Sequence, residues 1–105
     1  MYVLIVEYLV PLERIDELRP AHVEYLRRHY ADGTFLVSGR QDPPAGGVIV
    51  ATDVDRERLD AIVATDPFVT EGAARYRIVR FGPTQVADSV RDALAVAGVA
   101  LPPAP

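Results

Sequence analysis

The chain has 105 residues and contains no cysteine, lysine, asparagine or tryptophan, and only two histidines, His22 and His29. Without cysteine there is no disulfide framework, no thiol nucleophile and no cysteine-based metal cluster. Without lysine there is no Schiff-base chemistry. All eleven basic residues are arginine, and the net charge of -4 argues against a nucleic-acid partner. No apolar run approaches the roughly 20 residues that span a bilayer, so no membrane partner is expected. The stretch YVLIVEYLV holds Glu7 and lacks a basic start, which suits a strand rather than a secretion signal. The default expectation is a cytoplasmic protein.

Half of the residues are hydrophobic, enough for the core of one domain, although one this small is only modestly stable alone. Met1 to Val10 is β-branched and aromatic, and predicts a strand with two apolar faces. Pro11 to Ala31 predicts a helix: Ile15, Leu18, His22, Leu26 and Tyr30 follow helical spacing. Pro20 is read as opening the main helix after a short turn over 12–18, the alternative being a kink. Gly33 ends it. Thr34–Gly39 and Val48–Thr52 read as two strands of a hairpin joined by RQDPPAGG, and Asp53 as the cap of a second helix bearing Leu59, Ile62 and Val63. Ala74–Phe81 is the last core strand. Beyond it, Thr84 is expected to cap a C-terminal helix over 84–97 that carries Val86, Val90 and Leu94 and ends at Gly98, followed by a loose Pro-rich tail.

The order β-α-β-β-α-β specifies an α+β, ferredoxin-like fold with an antiparallel four-stranded sheet. Its helices cover one sheet face. The strands look apolar on both, so the other face is expected to pack on a second copy, giving a dimeric α+β barrel.

Few residues are equipped for chemistry. His22 sits on the apolar stripe of its helix, where it is either a packed core histidine or a general acid/base. His29 has no evident partner in sequence and reads as a surface or packing residue. In TDPFVTEG, Asp66 at a cap, Pro67 at the first helical position and Phe68 as an anchor make a rigid turn. The same Asp66 carboxylate is suited to orient a histidine and stabilise its charged form. Ser38 and Gly39 end a strand, where glycine lets a ligand approach and serine offers a hydrogen bond, or where the strand simply turns. Arg19, Arg40 and Arg75 are either anion contacts or solvated surface charges. DPPAGG is not a phosphate-binding fingerprint.

RPAH with His22, FLVSGR ending at Gly39-Arg40, and TDPF, together with Gly33, Gly47 and Gly72, occur in an order that resembles the YCII-related (YciI-like) family. The resemblance covers residues 1–82 and leaves 83–105 as a C-terminal extension. It implies a ferredoxin-like domain that dimerises as an α+β barrel, with a site built from His22 and Asp66 beside Ser38 and Gly39. Some relatives are linked to dehydrochlorination of aromatic compounds. The family often has proline after its glycine, where this chain has Arg40.

The leading expectation is a small enzyme with neither cofactor nor metal, in which a His22–Asp66 dyad moves a proton on a small anionic or aromatic substrate. Lyase, isomerase or dehydrochlorinase chemistry would suit it. The alternative is a non-catalytic metabolite-binding or accessory homodimer. A heme- or quinone-type monooxygenase on the same architecture is less attractive, given the DPF pattern and the lack of tryptophan.

Overall fold

A computed structural model of the chain describes residues 1–103. The last two residues of the expected tail, Ala104 and Pro105, lie outside the described residues. The elements are β1 (Tyr2–Tyr8), α1 (Leu12–Ala31), β2 (Phe35–Arg40), β3 (Gly46–Ala51), α2 (Arg56–Val63), α3 (Pro67–Thr70), β4 (Ala74–Arg80) and α4 (Asp88–Val96). The four strands form one antiparallel sheet in the order β2-β3-β1-β4, the ferredoxin-like arrangement. The apolar β1 is an interior strand, paired with β3 on one side and β4 on the other.

Strand alternation divides the sheet cleanly. Tyr2, Leu4 and Val6 of β1 face the helices and are buried with Ile15 and Tyr25 of α1, Leu59 and Ile62 of α2, and Phe68 of α3. The opposite face carries Val37, Val50, Val3 and Val79, which the register places in one row across all four strands. The neighbouring row sets Arg77 beside Ile5 and Val48, and beyond it Arg75 pairs with Glu7 at 2.9 Å. Val37 and Val79 are exposed in the single chain. A register shift between Phe35 and Val37 lets Phe35 turn into the core while Val37 faces out.

The structure differs from the sequence reading in four places. First, α1 is one continuous helix from Leu12, with Pro20 in its interior. Pro20 and Asp16 are both exposed, so the carbonyl that the missing N–H leaves unpaired lies on the solvent side of the helix. Second, Asp53 does not cap α2; Asp55 occupies that position. Asp53 instead accepts from the Met1 ammonium group and, at 2.8 Å, from the Ala100 N–H. Third, Thr84 does not start the last helix, which begins four residues later after Ala87 and has no side-chain cap. It still ends where glycine allows a left-handed turn, at Gly98 (φ 86°). None of its residues is buried, and Val90 and Val96 are exposed. Fourth, His29 does have a partner, three residues on: its Nδ1 lies 2.8 Å from Asp32 Oδ2, while its ring packs edge-on to Tyr25 and Phe35.

Gly46 fixes the β1–β3 spacing. A Cβ added there would lie 1.7 Å from the Val6 carbonyl oxygen, so no side chain fits without parting the strands. Gly46→Ala should therefore destabilise the fold by about 1–3 kcal/mol, the usual cost of overpacking. Urea denaturation checks this; an unchanged midpoint would show that the strands can separate without loss.

Candidate functional site

The site is built around the segment that joins α2 to β4. Asp66 precedes α3 and caps it: its Oδ1 accepts from the Phe68 N–H at 3.0 Å, and Pro67 takes the first helical position, where no N–H is needed. This explains the local fold and places the carboxylate in the interior, with no solvent exposure. A buried carboxylate must find several donors to offset its lost hydration. Asp66 finds two more. His22 Nδ1 lies 2.8 Å from Oδ1, and the Tyr76 hydroxyl donates to Oδ2 at 2.6 Å. Tyr76 has one hydroxyl hydrogen, and it goes to the carboxylate. Tyr25, whose oxygen lies 3.3 Å from that of Tyr76, completes the chain of hydroxyls by donating to it.

The histidine is held as tightly as the acid. Its ring stacks on Phe68 with centroids 4.0 Å apart and planes 10° from parallel. Phe68 is itself buried and meets Tyr8 edge-on. With a carboxylate on Nδ1, that nitrogen carries the proton of the neutral ring and Nε2 keeps a lone pair. Among the described residues, Nε2 has no hydrogen-bond partner. His22 lines a cleft of about 130 Å³ between α1 and the β2–β3 side of the sheet.

The other residues singled out from the sequence fall on the same cleft or away from it. Ser38, Gly39, Arg40 and Arg19 all line it. Ser38 Oγ is hydrogen-bonded to the Tyr30 hydroxyl, so its first partner is α1. A Cβ at Gly39 would meet nothing within 4 Å, which leaves room beside the strand. Arg19 and Arg40 both reach Asp16 Oδ1, at 2.7 and 3.3 Å. Arg75 is not part of the site; it lies on the opposite sheet face with Glu7. Tyr25 and Tyr76 were not legible as site residues, because tyrosine in a strand or on a helix stripe reads first as packing. No group of three His, Asp or Glu side chains among the described residues is arranged to hold a metal ion.

Burial raises the Tyr76 phenol far above the ordinary tyrosine range, and the neighbouring Tyr25 and Asp66 add to the effect. Burial also raises Tyr25. Both therefore stay protonated in the fold where unfolded tyrosines ionise, near pH 10. Their contribution to stability is complete below that pH and is lost as pH rises through it, because the unfolded chain then binds fewer protons. The pair should make the unfolding free energy fall by about 2.7 kcal/mol per pH unit above about pH 10. Tyr76→Phe should roughly halve that slope in urea titrations between about pH 9 and 11; an unaltered slope would show that Tyr76 ionises freely in the fold.

No curated protein sequence matches the chain. Among solved structures, it is similar to 5-chloro-2-hydroxyhydroquinone dehydrochlorinase (TftG) from Burkholderia phenoliruptrix AC1100, in complex with 2,5-dihydroxybenzoquinone. The identity is 22%, the TM-score 0.63, and the match covers 77% of this chain and 93% of that one, which shows a shared fold. The family model of the YCII-related domain matches residues 1–82, the segment from β1 through β4 that holds every residue of the cleft. The chain belongs to the YCII-related family.

Proposed function

We propose that the protein is a small-molecule enzyme in which His22, oriented by Asp66, takes a proton from a substrate in the cleft and returns it. The observation that carries this reading is the fully buried Asp66 carboxylate, held by Phe68 N–H and Tyr76 and hydrogen-bonded to His22 Nδ1. In that arrangement Nε2 is the base. As it gains a proton, the positive charge on the ring is balanced by the carboxylate behind Nδ1, and the ring does not turn because Phe68 supports its face. Positioned proton transfer contributes about 10²–10⁴-fold in rate.

Dehydrochlorination or a related lyase or isomerase reaction suits such a base. Loss of HCl from a polyhydroxylated chloroarene moves one hydroxyl proton to the chlorine-bearing carbon, releases a second hydroxyl proton together with chloride as the C–Cl bond breaks, and leaves a quinone, so it needs no electrons from outside. The aromatic and aliphatic lining of the cleft, with Tyr8 and Phe68 beside His22, suits a ring-sized substrate. The likeness to a dehydrochlorinase supports testing chlorinated hydroxyquinols first. A wild-type protein that binds such rings without converting them would favour a metabolite-binding role instead. His22→Ala should lower kcat by at least about a hundredfold, and Asp66→Asn by a comparable factor because the amide can hold the wrong tautomer. Turnover that survives both changes would remove the dyad from the reaction.

The same reading includes a homodimer through the bare sheet face. A row of four valines, one from each strand, is an apolar surface that a second copy would cover. Sedimentation should give a dimer for the wild type and a monomer for Val50→Asp, which puts a carboxylate in the middle of that row. A monomeric wild type would end the proposal.

A further inference from the structure

At the mouth of the cleft two arginines from different elements share one carboxylate of the chain itself. Arg19 comes from α1 and Arg40 from the end of β2, and the terminal nitrogens of both meet the same oxygen of Asp16. They are thereby held side by side, although β2 and α1 are joined by a turn far from this point. Arg19 lies three residues before His22 on α1, so its guanidinium and the imidazole occupy the same side of the helix. All three line one cleft, most of whose other lining is apolar, including Val6, Val23, Leu26 and Ile49.

Asp16 is a poor permanent occupant of this place. It stands in solvent at 61% side-chain exposure, and an exposed ion pair of this kind contributes little. The hydrogen bond from Arg19 holds its carboxyl below the usual carboxylate range, so it remains an anion near neutral pH. An anion delivered by a molecule already seated in the cleft would meet the same two guanidinium groups from the less hydrated side, where charge-assisted hydrogen bonds are stronger.

The geometry points to a clamp for a carboxylate: Arg19 and Arg40 bind the carboxylate of a small aromatic or unsaturated acid, in place of Asp16, while the rest of that molecule lies along the apolar floor toward His22. This rests on reading the cleft as a substrate site, and within that reading it favours a monoanionic acid over the chlorinated hydroxyquinols, which carry no carboxylate. Arg40 is the specificity-determining member, because it reaches the clamp from the end of β2, outside the helix that carries Arg19 and His22.

Benzoate and benzamide, equal in shape and different in charge, test it by calorimetry and by amide chemical-shift titration of the full chain at about pH 7. Benzoate should bind at least about tenfold tighter than benzamide. Arg40→Gln should remove most of that preference and leave benzamide unaffected. Asp16→Asn should tighten benzoate several-fold, because the internal competitor loses its charge. His22→Ala should leave the preference intact, which separates the clamp from the dyad. Equal binding of the two probes, or a benzoate affinity untouched by Arg40→Gln or weakened by Asp16→Asn, would overturn the clamp alone. No binding of either probe at millimolar concentration would overturn the clamp and the cleft reading together.

Discussion

One buried carboxylate organises the half of this molecule that holds the cleft. Asp66 has no access to water, and an ion in that position is tolerable only if the protein replaces its hydration. Three elements do so. The α3 turn supplies the Phe68 N–H, β4 supplies the Tyr76 hydroxyl, and α1 supplies the His22 ring. Each donor arrives from a different part of the chain, so the carboxylate ties the helix layer to the sheet edge at a single point. Phe68 serves twice, as the backbone donor and as the surface on which the imidazole rests. Capping, packing and the orientation of His22 are therefore one arrangement, and none of the three can be altered alone.

The fold was legible because its signals are local and agree with one another. A β-branched run, a helical stripe, a hairpin, a capped turn and a final strand arrive in an order with few compatible topologies. The pairing of His22 with Asp66 was legible for a related reason: a capping aspartate is held rigidly, and the topology brings the end of the second helix region to the side of the sheet that α1 covers. The failures have physical causes. Pro20 was read as a helix start because a missing N–H usually breaks a helix, and nothing in sequence reveals that the orphaned carbonyl lies on the solvent side. Asp53 precedes a helix and looks like a cap, yet its carboxylate is taken by the Met1 ammonium and the Ala100 N–H, both remote in sequence. His29 looked partnerless although Asp32 is one turn away, a spacing at which such pairs are common. The two tyrosines behind Asp66 could not be told from core residues, since only their hydroxyls distinguish them from phenylalanine and a hydroxyl's partner is a tertiary fact.

The two faces of the sheet carry different duties. The helix side is occupied by the core and the cleft, and its buried side-chain polar atoms all have partners among the described residues. The other side carries the row of valines, then a row in which Val48 and Ile5 lie level with Arg77, and then the Glu7–Arg75 pair. Valine is stiff and short, so such a band is flat and adapts little. The C-terminal segment is fastened to the domain through Asp53, which accepts from the Ala100 N–H, and through the buried Val99, while its helix buries none of its own side chains.

The continuity of α1 through Pro20 has a further consequence. Arg19 and His22 lie on one unbroken helix, so their separation along its axis is set by the helical rise, about 4.5 Å for three residues. No loop intervenes that could stretch or shrink that interval. The helix is in effect a ruler laid along the cleft. Under the reading proposed above, a molecule that touched both ends would be sorted first by the distance between its charged group and the atom facing His22. Changing the reach of such a site would require moving an arginine by a helical turn, not reshaping a wall.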